Sequence, residues 1–108
     1  MAEEKDETIL ANAGIDEDAA QGAVIPPLYL STNYSFDGFG GKRAFDYSRS
    51  GNPTRAQLGE ALARLERGAG AVVTSSGMAA VDLVLSPLAA GALVVAPHDA
   101  YGGTWRLL

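Results

Sequence analysis

The 108-residue sequence contains no cysteine and a single histidine, His98. Disulfide scaffolds, thiolate zinc sites and cysteine nucleophiles are therefore excluded together. A lone histidine is also a poor basis for a metal site, so we expect none. The apolar stretch 83–96 is interrupted by Ser86, Pro87 and Gly91 and is too short to cross a bilayer. We accordingly expect no membrane partner.

An excess of basic charge is also lacking, because the net charge is −5. Seven of the 13 acidic side chains lie in the first 20 residues, whereas residues 21–108 carry seven basic and six acidic ones. The acidity thus belongs to an N-terminal arm, and no clustered basic face is available for nucleic acid. A targeting peptide would be basic rather than acidic, so we predict a cytoplasmic address. With 47% apolar and 19% charged residues, the composition is that of a globular protein.

The chain divides into an arm and a body that alternates between strand and helix patterns. Residues 1–22 are polar and weakly periodic, which predicts a solvated extension or one that wraps a partner. The segment 23–36 contains Pro26 and Pro27, which forbid a helix, and we expect it to be extended. Its apolar and aromatic side chains need another surface to cover them.

A helix is predicted to begin at Asn52 and Pro53, because asparagine is a good N-cap and proline fits the first helical position. Its leucines recur at helical spacing and predict one buried face, and the glycine among them suggests close packing there. These residues are Leu58, Gly59, Leu62 and Leu65. We expect Gly68 to end the helix in a left-handed conformation.

The second half of the body reads as strand, helix and strand. Segments 71–74 and 93–95 are short apolar runs that predict buried strands, and a helix of roughly 78–85 lies between them, closed by Pro87. Such an order indicates a right-handed parallel α/β unit. Ligands bind beyond the carboxyl ends of parallel strands, so the turns after these two strands are the candidate sites.

The turn after the first predicted strand offers backbone N–H groups at a helix N-terminus, where Ser76, Gly77 and Met78 lie. A helix N-terminus favours anions, and Gly77 would let a phosphate approach the backbone, although small residues there also serve as plain caps. A hydrolase triad of Ser76, His98 and Asp99 is disfavoured, because the nucleophile elbow is missing and adjacent His and Asp rarely orient each other.

Two further positions suggest a ligand with a phosphate and a planar ring. Tyr47 and Arg49 are two residues apart in an extended stretch and point the same way, so a phenol and a guanidinium could clamp a phosphate. The alternative is a packed tyrosine and a surface arginine. After the second predicted strand, Tyr101 is flanked by glycines and could stack on a planar ligand.

Four segments carry a resemblance to a known family: 22–27, 46–54, 76–80 and 101–104. In this order and spacing they resemble the Cys/Met-metabolism transsulfuration family of pyridoxal 5'-phosphate (PLP) enzymes. The resemblance implies an α/β fold: the N-terminal part of a PLP-dependent transferase of fold type I, aspartate aminotransferase-like. It would comprise an extended arm (1–52) and the start of the mainly parallel sheet of the large domain (53–108).

The resemblance also implies roles for individual residues. Ser76, Gly77 and Met78 would bind the PLP phosphate, and Tyr47 and Arg49 would reach the phosphate of the neighbouring subunit's cofactor. Tyr101 would stack on the pyridine ring and assist proton transfer, which makes it the catalytic residue of this segment. Asp46 and Arg106 would contact the substrate. The implied assembly is a homotetramer built from dimers with shared active sites.

Segment 96–104 most resembles members that run γ-replacement, in which an O-acyl homoserine and cysteine give cystathionine. A γ-lyase or a homoserine sulfhydrylase shares much of the pattern. The lysine that carries the cofactor lies downstream in relatives. The two lysines of this sequence, Lys5 and Lys42, lie outside the four segments. We therefore expect the 108-residue chain alone to be inactive. A non-catalytic fragment docking on full-length subunits and a separate phosphate-binding module are the alternatives of another class.

Overall fold

The computed structural model describes residues 4–108, which form four helices. These are α1 (Asp6–Asn12), α2 (Pro53–Leu65), α3 (Gly77–Leu85) and α4 (Gly102–Leu107). The chain separates into two compact units, the first ending at Val72 and the second spanning Val73–Leu108. Within the described residues, no helix has the length and apolar character that crossing a membrane requires.

Helix α2 begins where the sequence predicts. The Asn52 side chain accepts the N–H of Arg55 at 3.3 Å, and Pro53 occupies the first turn. Its end differs from the prediction, because Arg67 rather than Gly68 is left-handed, with φ of 51°. The N–H of Gly68 donates to the carbonyl of Ala63 at 2.8 Å, and that of Arg67 donates to Arg64. This paired closure of the last turn requires the left-handed residue one position earlier.

The predicted leucine face of α2 is only partly covered in this chain. Gly59 is buried, as its predicted close packing requires, whereas Leu58 and Leu62 remain about half exposed. Helix α1 packs against α2, and Ile9 of α1 is 5% exposed. No other large apolar side chain among residues 4–108 is buried. Most of the large apolar side chains of the described residues are therefore exposed or only partly buried.

The arm contains a helix that its polar sequence did not predict. Two ion pairs join the region of α1 to the end of α2: Glu4 with Arg64 at 2.6 Å and Asp6 with Arg67 at 3.1 Å. Together with Ile9, these contacts connect residues about 60 positions apart in the sequence. The prediction of a merely solvated or partner-wrapping arm was thus incomplete, since its first turns fold onto α2.

Beyond α1, the arm is organised around a buried carboxylate. Asp18 is 7% exposed, and its oxygens accept the backbone N–H groups of Ala20, Gln21 and Ala23 at 3.2–3.3 Å. A short acidic side chain that accepts several amides closes a tight turn without any regular secondary structure. The turn leads directly into the Pro26 segment.

The segment 23–36 is non-helical, as predicted, and its apolar side chains are mostly exposed. It is joined to the 46–48 segment by an antiparallel bridge between Asn33 and Tyr47. Two backbone hydrogen bonds flank this bridge, from Tyr34 to Asp46 at 2.9 Å and from Ser48 to Thr32 at 2.8 Å. The bridge fixes the start of the segment that carries Tyr47 and Arg49.

In the second unit, α3 matches its predicted position to within a residue, whereas the two flanking strands do not form. Among residues 4–108 no strand ladder is present, and Leu93 and Val95 are 90% and 87% exposed. The prediction of buried strands is wrong for this chain as it stands, because a strand exists only when another strand accepts its hydrogen bonds. Helix α4 was not predicted, since it opens with two glycines, which are poor helix formers.

The predicted division into residues 1–52 and 53–108 concerns the parts of a larger enzyme, and it stays a prediction. Its first three residues lie outside the described residues.

Candidate functional site

The candidate residues fall in two places. The first is the loop 46–50 of the first unit, called the Tyr47 loop below, and the second comprises the helices α3 and α4 of the second unit. In the loop, the Nη2 of Arg49 donates to the phenol oxygen of Tyr47 at 3.0 Å. The guanidinium carbon lies 5.4 Å from the centre of the Tyr47 ring. The structure thus places both side chains together, but in a turn over residues 48–50 and not in the predicted extended stretch, because the N–H groups of Ser50 and Gly51 both donate to the Tyr47 carbonyl. A guanidinium has several donors, so this pair can still bind an anion.

The carboxylate of Asp46 makes three polar contacts that stabilise this loop. Its Oδ1 accepts the N–H of Tyr47 at 2.8 Å and the hydroxyl of Ser50 at 2.9 Å, and its Oδ2 pairs with Lys42 at 3.1 Å. The hydrogen bond from Lys42, followed by that from Ser50, holds the pKa of the Asp46 carboxyl below its ordinary value of 3.8. The predicted contact of Asp46 with substrate stays a prediction, and its contacts in the structure are with its own loop.

Asn52 joins the loop to α2 and to the extended segment. Its Nδ2 donates to the carbonyl of Tyr29 at 3.0 Å and to the hydroxyl of Tyr34 at 3.2 Å, while its Oδ1 caps α2. The sequence predicted only the cap. The backbone N–H of Tyr29 donates in turn to the hydroxyl of Thr54 at 3.0 Å. These bonds connect the end of the Tyr47 loop and the start of α2 to the extended segment.

In the second unit, the N-terminus of α3 has the groups that an anion requires. Ser76 is the N-cap, and its Oγ accepts the N–H of Ala79 at 3.1 Å. The amides of Gly77 and Met78 come too early in the helix to have an acceptor within it. Apart from the adjoining residues and the backbone of α3, no described atom lies within 4 Å of the place where a Cβ on Gly77 would stand. A phosphate can therefore approach these two N–H groups directly.

Tyr101 immediately precedes α4 and is 72% exposed. The hydroxyl of Thr104 in α4 contacts the sulfur of Met78 at 3.9 Å, which joins the starts of α3 and α4. Arg106 lies exposed in the last turn of α4, and its predicted contact with substrate stays a prediction.

The disfavoured hydrolase triad is not assembled. The Ser76 hydroxyl is occupied as a helix cap, and none of the hydrogen bonds among residues 4–108 links Ser76, His98 and Asp99. No group of three or more His, Asp or Glu side chains in the described part of the chain is arranged to hold a metal ion.

Comparison with known proteins identifies the class of protein. The family of Cys/Met metabolism PLP-dependent enzymes matches residues 7–108, and the chain belongs to this family. Cystathionine gamma-synthase of Escherichia coli is 53% identical over 104 residues, which are 95% of this chain and 27% of that protein. The chain therefore spans about a quarter of the length of the curated relatives it matches.

Solved structures agree with this assignment. Cystathionine gamma synthase of Xanthomonas oryzae pv. oryzae, in complex with aminoacrylate and cysteine, is 61% identical, with a TM-score of 0.90. The match covers 98% of this chain and 28% of that one. Cystathionine gamma-lyase of Lactobacillus plantarum, complexed with L-serine, is 40% identical over 96% of this chain and 27% of that one, with a TM-score of 0.84. These neighbours are PLP-dependent enzymes of fold type I, which confirms the predicted family and the coarse fold class.

Proposed function

We propose that these residues form the N-terminal quarter of a PLP-dependent enzyme that replaces the γ-substituent of an O-acyl homoserine with cysteine, giving cystathionine. The similarity to cystathionine gamma-synthase at 61% identity is the observation that carries this proposal. The lyase relatives, at 40% identity, support γ-elimination as the second candidate. A cytoplasmic enzyme of methionine biosynthesis accords with the first candidate.

Two groups of this chain's residues serve the cofactor phosphate in this proposal. The amides of Gly77 and Met78 bind it at the N-terminus of α3, with the Ser76 hydroxyl beside them. The partially positive end of α3, a helix of nine residues, supports a dianion there. Because the helix backbone is rigid, these donors are positioned before the ligand arrives.

The Tyr47 loop serves the phosphate of a neighbouring subunit's cofactor. Arg49 supplies charge-assisted donors, and Tyr47 orients its guanidinium through the 3.0 Å hydrogen bond. Asp46 keeps the loop closed through Ser50 and the backbone of Tyr47. This arrangement requires a dimer with shared active sites, and the full assembly is a tetramer built from two such dimers.

Tyr101 places its ring against the pyridine ring of the cofactor and holds a phenol at the reacting atoms, where it can move a proton. When bound, PLP supplies the electron sink for the carbanion chemistry of such reactions. Arg106 and Asp46 bind the distal part of the substrate. The segments 71–74 and 93–95 become strands of the mainly parallel sheet of the large domain, which covers Leu93 and Val95.

A chimaeric enzyme tests the proposal. Residues 1–108 replace the matching segment of the E. coli cystathionine gamma-synthase, and the E. coli enzyme itself is the control. We expect visible absorption from bound PLP and formation of cystathionine from cysteine and an O-acyl homoserine. Succinyl, acetyl and phospho leaving groups are compared in parallel assays.

A folded chimaera that takes up no PLP would contradict the cofactor site. A chimaera that binds PLP and only cleaves cystathionine would favour the lyase instead of the synthase.

A further inference from the structure

Gly103 lies against one edge of the Tyr101 ring. A Cβ at this position would stand 2.6 Å from Cε1 and 3.0 Å from Cδ1 of the Tyr101 ring, and 3.1 Å from the sulfur of Met78. Ordinary contacts of this kind begin at about 3.4 Å. Any side chain at position 103 must therefore displace the ring edge by about 0.8 Å, the difference between those two distances.

The backbone does not account for glycine at this position. Gly103 is absent from the residues with positive φ, so alanine could adopt its conformation. Alanine is also the better helix former, by about 1 kcal/mol in a helix interior. The close approach of the Tyr101 ring and the Met78 sulfur is what position 103 accommodates by lacking a side chain.

Gly102 provides a contrast within the same turn of α4. It also lacks a positive φ, and apart from the adjoining residues and the backbone of α4 no described atom lies within 4 Å of a Cβ placed there. The two neighbouring glycines thus share helix, conformation and residue type. They differ in that the Tyr101 ring lies close to Gly103 and not to Gly102.

We propose that Gly103 and the side chain of Met78 form a seat that fixes the ring of Tyr101, so that Gly103 is a positioning residue for the ring that faces the cofactor. The seat belongs to both helices, because the Thr104 hydroxyl contacts the same Met78 sulfur at 3.9 Å. The Met78 sulfur and the edge of the Tyr101 ring both border the space that a Cβ at Gly103 would occupy. This inference rests on the proposed function, in which Tyr101 stacks on PLP.

The test compares Gly103→Ala with Gly102→Ala in the full-length PLP-loaded enzyme. We expect Gly103→Ala to change the visible circular dichroism of bound PLP, because the ring next to the cofactor has moved. We also expect kcat to fall by about tenfold to a hundredfold, as sub-ångström to 1 Å misplacements do. Gly102→Ala should keep the wild-type spectrum and stay within about twofold of its kcat, since a Cβ at position 102 meets no described side chain.

Met78→Ala is the second variant, and it removes the other half of the seat without introducing any overlap. It leaves the Met78 amide in place and should change the visible spectrum, with a smaller loss of kcat than Gly103→Ala. If Gly103→Ala does not yield folded enzyme, the spectrum of Met78→Ala decides between a seat and mere packing. A wild-type spectrum in Met78→Ala, or equal spectra in the two glycine variants, would overturn the seat.

Tyr101→Ala separates this inference from the function on which it rests. If Tyr101→Ala leaves the cofactor spectrum unchanged, the stacking role itself is wrong. If Tyr101→Ala changes the spectrum while Gly103→Ala behaves like Gly102→Ala, the stacking role stands and the seat is wrong.

Discussion

The loop that carries Tyr47 and the segment around Leu93 are both predicted to be extended, but they differ in the contacts that hold them. The loop is held by the Asp46 carboxylate, the Asn33–Tyr47 bridge and the flanking backbone bonds. The segment 93–95 has no strand ladder, and Leu93 is 90% exposed. Segments held by local polar contacts form their structure within this chain, whereas a strand needs a neighbour.

The largest effect should come from Leu93→Ala in the complete enzyme. If the segment 93–95 becomes a sheet strand there, the loss of a buried leucine costs about 2–5 kcal/mol. This should appear as a lower Tm of the chimaeric enzyme. In the isolated 108-residue chain, the same change should leave the helix signal in far-UV circular dichroism unaltered, because Leu93 is already exposed. If Leu93→Ala destabilised the complete enzyme and the isolated chain equally, the 93–95 segment would not depend on a neighbouring strand, and its contrast with the Tyr47 loop would be wrong.

A smaller but local effect is expected from Asn52→Ala. The change removes the cap of α2 and both hydrogen bonds to the tyrosines, each of which contributes about 1 kcal/mol. We expect backbone amides of residues 28–56 to exchange hydrogen about tenfold faster or more, read by mass spectrometry. Asn33→Ala is the control, since its side chain is exposed. Unchanged exchange in Asn52→Ala would show that other contacts hold the loop.

The smallest effect concerns the acid–base state of Asp46. Because its pKa is lowered in the folded protein, the contacts of its carboxylate are fully present above pH 3.8 and are lost as the pH falls through the lowered value. Lys42→Met should move the carboxyl pKa back toward 3.8, as followed by NMR of the side-chain carboxyl carbon. A pKa of Asp46 that is the same with and without Lys42 would contradict this description of the loop.

The sequence predicted those parts whose signals are local. Asn52 and Pro53 mark the start of α2. Tyr47 and Arg49 lie together as predicted, but they do so in a hydrogen-bonded turn and not in the predicted extended stretch. Helix α1 was missed because its contacts come from Arg64 and Arg67, about 60 residues away. No local pattern in an acidic arm reveals such partners.

The remaining differences have physical causes of the same kind. The predicted strands do not form in this chain. An apolar pattern indicates that a segment suits a sheet, but it does not show that a neighbouring strand is present. Gly68 was predicted as the left-handed residue from its type alone, whereas the hydrogen bonds of the turn place Arg67 there. The seat of Tyr101 was invisible because Met78 reaches Gly103 only once α3 and α4 have folded together.

The central claim is that the Tyr47 loop binds the phosphate of PLP through Arg49. The most direct test is the dissociation constant of PLP in the full-length enzyme carrying Arg49→Ala, compared with Arg43→Ala, which removes an arginine paired with Asp37 near the same loop. Hydrogen bonds to charged groups contribute about 1.5–3 kcal/mol, so Arg49→Ala should weaken PLP binding by about tenfold to a hundredfold. Arg43→Ala should leave it within about twofold of the wild type. Equal PLP affinity in the two variants would contradict the claim.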